Sequence, residues 1–385
     1  ALVILWLLVK TGRRLAGDAG AVIAAGAFGL NVITPRLATM VRTDMLLCLT
    51  IFLVGHLIYE KLRTESPWST GERWQIFGLL LASMFIKGPI AYAFLLPGLG
   101  ALWWIGRHQG WGRRAWSGWW SWLAPLGFFA IWVALGVMLS KDFYEEVVLK
   151  EFLGRFTVGE AARHHNQPFF FYLTLLYRFF PWSILLLGMA AVPDVRAKLR
   201  RDPALCWLAC WAIGGFVLMS LVPSKRGDRI FPVIPPLCLL GAGLIAALPR
   251  ALCRKCLTRE WYFSLLAIAT LACGTYSVAN LLAALRAHDR ALVTFGEQVT
   301  RAARGRALVA VHGKDEGMLL YLGLTRFTKI DEAVRQWQAN EVQALVLPSD
   351  VWETRKGQLA DARVELESEA SPSKNSRYAL IVRQN

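Results

Sequence analysis

Apolar residues in this chain run in long blocks, and the polar ones collect in the short gaps between them. The blocks lie near 1–10, 19–34, 45–59, 76–86, 89–105, 118–139, 169–192, 204–223, 230–249 and 261–284. Most approach the roughly 20 residues that a helix needs to cross a bilayer core. They are continuous rather than alternating, which disfavours a closed β-barrel and favours helices. The pattern therefore predicts a polytopic, mainly α-helical membrane protein with about ten crossings. Residue 1 already lies in an apolar run with no basic or polar segment before it. It reads as the tail of a helix and not as a signal peptide.

After about residue 285 the pattern changes. "ALVAVHG", "VQALVLPSD" and "RYALIVRQ" have the look of short buried strands, and "KIDEAVRQWQAN" has helical spacing. The expected organisation is a membrane domain over 1–285 and a small soluble α/β domain over 286–385.

Composition agrees: 55% of residues are hydrophobic, 17 are tryptophan, and mean hydropathy is +0.40. The net charge of +16 is distributed by loop. Lys10, Arg13 and Arg14; Lys61, Arg63 and Arg73; Arg107, Arg113 and Arg114; Arg196 to Arg201; and Arg250 to Arg259 make every second loop basic. The positive-inside rule assigns those loops to the cytoplasm, so the charge records topology and nucleic acid is not the partner. Seven cysteines lie in apolar runs or in a basic loop. The "CRKC" at 253–256 lacks two further ligands for zinc, and its loop falls on the reducing side.

The opposite face carries ionisable residues that are costly near a membrane unless they face a cavity or a partner. Arg36, Arg42 and Asp44 precede a crossing; Asp44 either caps that helix or serves as a functional carboxylate. Lys87 stands in "FIKGP", where it either snorkels to the interface or, beside the exposed backbone of Gly88 and Pro89, holds an anion. The segment 140–168 has the apolar spacing of an amphipathic surface helix, and it ends with Arg155, His164 and His165 before Pro168 and an aromatic run. The histidines are candidates for metal or phosphate contact, or an inert surface pair. Finally, "PSKRGDRIFP" places Lys225, Arg226 and Arg229 around Asp228 on the side that should be poor in positive charge, which a phosphate-bearing ligand would explain. His312, Asp315 and Glu316 in the tail read as a turn after a strand.

An R-x-D opening a crossing, a "KGP" turn, "HHNQPFFFYL", then "FPWS" and "PSKR…FPVIPPL" resemble, in this order, the dolichyl-phosphate-mannose protein mannosyltransferase-like family. Its members include the bacterial 4-amino-4-deoxy-L-arabinose lipid A transferase and have the C-type membrane glycosyltransferase fold. The resemblance covers roughly 1–250. It implies inverting transfer of a sugar from a polyprenyl-phosphate donor to a lipid, glycan or protein acceptor, by a monomer in the bacterial cytoplasmic membrane. The active site and tail domain would then be periplasmic. By position it makes Asp44 an acidic catalytic residue and Lys87, Lys225, Arg226 and Arg229 the donor-phosphate cations. Arg42 and Arg155 are further candidates. His165, with His164 as its alternative, matches a histidine that contributes to a metal site in some members, although nothing in the sequence requires a divalent cation or other cofactor. The family's principal catalytic aspartate is expected upstream of residue 1, and Arg229 stands where the basic loop usually leads into a tyrosine. The competing reading is a transporter or flippase of a lipid-linked or phosphorylated solute. It should show mid-membrane charges or inverted repeats, whereas these charges cluster on one face.

Overall fold

A computed structural model of the chain describes all residues except 40–41, 141–142, 145–147, 149–168, 223–224, 250–257, 287–288, 312–316, 360, 370–376 and 384–385. The chain divides into two compact units, Ala1–Thr275 and Tyr276–Asn385, and the division falls inside the helix Arg259–Arg286.

All ten apolar blocks are helical. The first two are arms of one kinked element, α1 (Leu2–Gly29), which breaks at Ala16 and Gly17. The arms approach so closely that a Cβ on Gly12 would stand 2.5 Å from the carbonyl oxygen of Gly20. A 62° bend separates α1 from α2 (Ile33–Thr39). Buried Asn31 holds it, donating to the carbonyls of Ala27 and Phe28 and accepting from the backbone N–H groups of Ile33 and Thr34. Next come α3 (Asp44–Thr64), α4 (Thr70–Lys87), α5 (Ile90–Ile105), α6 (Trp111–Ala115) and α7 (Trp119–Leu139). The block at 169–192 is broken: a 3-10 turn and α8 (Leu175–Arg178) meet α9 (Trp182–Ala191) at 97°. Then follow α10 (Pro193–Arg201), α11 (Pro203–Leu221), α12 (Ile234–Ala247) and α13 (Arg259–Arg286). Among the described residues four helices are individually long and apolar enough to cross a membrane: α3, α7, α11 and residues 260–282 of α13. The two bent pairs and the shorter apolar helices around α5 and α12 account for the other runs, apart from α4, whose 18 residues include Glu72, Arg73 and Lys87.

Without a hydrophobic force between helices in lipid, close backbone approach and polar contacts hold such a bundle together. One such seam lies between α5 and α11: a Cβ on Gly98 would sit 2.7 Å from the Cα of Trp211, and one on Gly214 would sit 2.6 Å from the nitrogen of Gly98. Trp207 donates from Nε1 to the Gly55 carbonyl at 2.8 Å, tying α11 to α3.

The second unit is a four-stranded sheet in the order β1-β2-β4-β3, from β1 (Leu308–Ala310), β2 (Ala344–Pro348), β3 (Ala362–Glu367) and β4 (Tyr378–Arg383). The first pair is parallel and the other two antiparallel. Alternate residues of β2 and β4 enter two separate cores, one with Phe295 and Met318 and the other with Val334 and Trp337, so both faces are covered by helices. The strand β3 escaped sequence reading. It is an edge strand, largely exposed, and its register shifts between Val364 and Leu366.

Candidate functional site

Helix α3 opens at Asp44 and α4 closes at Lys87, and the two side chains form an ion pair across 43 positions of sequence. The N-terminus of a helix favours an anion and the C-terminus a cation, so each residue stands at the helix end that suits its charge. The Asp44 side chain is 7% exposed and that of Lys87 21%. Asp44 is thus more than a cap residue, and Thr43 makes no side-chain capping bond. Lys87, for its part, is paired with that carboxylate. Its position depends on the next two residues: Gly88 adopts φ 76° and ψ −167°, a conformation closed to residues with a Cβ, and Pro89 immediately precedes α5.

A second cluster lies on the loop before α12. Arg42 donates from Nη1 to Oδ2 of Asp228 at 2.5 Å, and Arg226 reaches the same oxygen at 3.4 Å. This brings the R-x-D stretch and the basic loop together across 186 positions. Lys225 is buried to 5% exposure, and withdrawal from water lowers its pKa below the ordinary lysine range. Two residues missed in the sequence join the cluster. Arg178 lays its guanidinium against Gly227, where a Cβ would meet Nη1 at 1.9 Å. Buried Tyr172 lies beside the backbone of Arg226, with Asp228 and Arg229 as its charged neighbours. The sequence signal for Arg178 was its place between Tyr177 and the pair Phe179–Phe180 in "LLYRFFPWS", an unusual setting for a guanidinium.

Lys87 and Arg229 meet at one apolar groove of about 380 Å³. Ile90, Ala93 and Pro97 of α5 form one wall, and Leu218 and Met219 of α11 form the other. A further cavity of about 880 Å³ shares Pro97 and Leu218 with it and continues to Ile105 and Arg200. Two cations therefore stand at an apolar groove beside α5, and a second apolar cavity adjoins it at Pro97 and Leu218.

Of the residues expected from sequence, the structure brings Asp44 to Lys87 and Arg42 to Arg226 through Asp228, and places Arg229 on the same groove as Lys87. Arg155, His164 and His165 lie outside the described residues, as do Cys253, Cys256, His312, Asp315, Glu316 and most of the expected amphipathic segment. Among the described residues no three His, Cys, Asp or Glu side chains are grouped as a metal would require. Cys48, Cys206, Cys210, Cys238 and Cys273 are free thiols.

No family model matches the chain. Among curated proteins it is 30% identical over 112 residues to the undecaprenyl phosphate-alpha-4-amino-4-deoxy-L-arabinose arabinosyl transferase 2 of Proteus mirabilis, a match covering 29% of this chain and 20% of that protein. It is 29% identical over 179 residues to the corresponding transferase of Pseudomonas savastanoi pv. phaseolicola, covering 44% and 31%. The matched segments thus span about a fifth to a third of these relatives. Among solved structures, ArnT from Cupriavidus metallidurans bound to undecaprenyl phosphate superposes with a TM-score of 0.67 at 16% identity, over 99% of this chain and 82% of that one. Its apo form gives the same score. The fold is that of ArnT, and the resemblance read from the sequence agrees with the curated transferases over the matched segments.

Proposed function

We propose that the chain forms the donor-binding part of a membrane glycosyltransferase that takes its sugar from a polyprenyl-phosphate carrier. The observation that supports this most directly is the groove: two cations, Lys87 and Arg229, line one apolar groove. An amphiphile with an anionic phosphate and a long hydrocarbon tail fits that arrangement, and undecaprenyl phosphate is the carrier named for the relatives and bound in the related structure.

The reaction follows from the charges. The donor phosphate takes Lys87 from Asp44, and the freed carboxylate, as the second acidic residue of the site, holds the acceptor hydroxyl or amine while the family's principal catalytic aspartate takes its proton. That oxygen or nitrogen attacks the anomeric carbon from the face opposite the phosphate, which inverts its configuration. The bond between the anomeric carbon and the phosphate oxygen breaks, and its electron pair stays on the polyprenyl phosphate. Lys87, Arg229, Lys225 and Arg226 stabilise that growing charge. Arg42 and Arg178 steady the loop carrying the last two. A divalent cation, if bound, would add charge stabilisation at the same phosphate. The active side and the second unit are assigned to the periplasm of a bacterial inner membrane. The acceptor is a lipid, glycan or protein, with lipid A the first to test and a 4-amino-4-deoxy-pentose the first sugar.

The test uses the full-length protein in proteoliposomes with a radiolabelled polyprenyl-phosphate sugar and a membrane extract. Label leaving the carrier for a new product, lowered in Asp44→Asn, is the expected result. Label that changes leaflets while still on its carrier would replace the enzyme with a transporter.

A further inference from the structure

The far end of α5 carries a third cavity, which shares Leu96 with the donor groove and otherwise faces α6 and the start of α7. Leu96, Leu99, Gly100 and Trp103 line it at the spacing of one helical face, and Arg113 of α6 and Trp119 at the start of α7 close it to a volume of about 520 Å³. A methyl group placed on Gly100 would meet no atom within 4 Å, so the floor is open. Trp103 and Trp119 are 59% and 70% exposed, as tryptophans of a membrane interface are.

The three arginines at this end are not equivalent. Arg114 pairs with Glu65 at 2.8 Å, and Arg107 lies 5.0 Å from the centre of the Trp104 ring and donates to His108. Arg113 has no ion pair or side-chain hydrogen bond among the described residues, yet it stands at an apolar cavity. An exposed guanidinium between interfacial tryptophans, over an apolar floor, is complementary to a phosphate esterified to acyl chains.

We propose that this cavity binds one anionic glycerophospholipid, its phosphate on Arg113 and the upper part of its chains along Leu96, Leu99 and Gly100. The leaflet is the one opposite Lys87, which loop charge assigns to the cytoplasm. The site is independent of the transferase reading.

Native mass spectrometry of the full-length protein in detergent tests it, using phosphatidylglycerol and phosphatidylcholine with identical chains. One phosphatidylglycerol should be held in preference to phosphatidylcholine. Arg113→Gln should weaken phosphatidylglycerol about fivefold, as one interfacial cation is worth about that, and leave phosphatidylcholine unchanged. Because that side chain is exposed and unpaired, the substitution spares the fold. Gly100→Leu should remove the bound lipid by filling the floor. Equal retention of the two lipids, or phosphatidylglycerol binding in both variants equal to wild type, would overturn the proposal. So would one-for-one displacement by undecaprenyl phosphate, which would assign the cavity to the donor.

Discussion

If the donor phosphate must take Lys87 from Asp44, then Asp44→Asn changes binding and transfer in opposite directions. The wild-type lysine is already satisfied by a carboxylate that is 7% exposed, so phosphate gains only the difference between two charge-assisted bonds. In the variant the amide competes weakly and the ammonium is available. A hydrogen bond to a charged group contributes about 1.5–3 kcal/mol net, so recovering even the lower bound tightens undecaprenyl phosphate about tenfold. Transfer should fall by about tenfold or more, because the acceptor loses a charge-assisted hydrogen bond of about 1.5–3 kcal/mol. Isothermal titration of the full-length protein in detergent measures the first quantity, and label transfer in proteoliposomes measures the second. The converse variant, Lys87→Ala, strands a buried carboxylate and should cost about 3 kcal/mol of stability; combining the two substitutions should recover much of that loss. If folded Asp44→Asn protein binds undecaprenyl phosphate no more tightly than wild type, the carboxylate is not the phosphate's competitor and the exchange is wrong.

Three further outcomes follow from the same geometry. Donor affinity should fall as pH rises through the lowered pKa of Lys225, because phosphate binds the protonated amine. Stability should move the other way in the window between that pKa and the unfolded one, where the unfolded chain holds the extra proton. Lys225→Arg should keep donor affinity to higher pH, and an unchanged pH profile by titration would remove Lys225 from the phosphate site. Ala93→Phe, which puts a ring into the groove, should weaken long-chain polyprenyl phosphate about tenfold while leaving inorganic phosphate unaffected; equal losses for both ligands in competition binding would contradict the tail path. Gly98→Leu forces a side chain against the Trp211 backbone and should cost about 3 kcal/mol, seen as a lowered melting temperature in detergent; wild-type melting would mean that the α5–α11 seam opens without cost.

Much of this was legible because membrane depth penalises idle charge. Lys87, Arg42 and Asp44 were conspicuous in the sequence, and so was the basic loop at Lys225 and Arg226. Their partners were not. Nothing local to "RTD" or "SKRGDR" says that Arg42 meets Asp228 or that Asp44 meets Lys87, since those pairings arise from how α3, α4 and the loop before α12 are juxtaposed. Arg178 was missed for the same reason: it contacts the loop through the bend between α8 and α9, and the sequence reads through that bend as a single apolar run. The small α/β unit announced its buried strands through continuous apolar runs, whereas β3, with one face open, did not.

Asp44 and Lys87 are terminal residues of their helices, and the short connection between α3 and α4 is pinned at its other end. There Lys61 binds Glu72 at 2.7 Å and donates to Ser66 and the Pro67 carbonyl. The exchange proposed for Lys87 therefore asks for no hinge and no helix displacement, only rotation about side-chain bonds. Such rotations take picoseconds to nanoseconds, against microseconds or longer for collective motions. Loading of the donor would then be timed by lateral arrival of the carrier in the bilayer, so its rate should track carrier abundance and membrane viscosity.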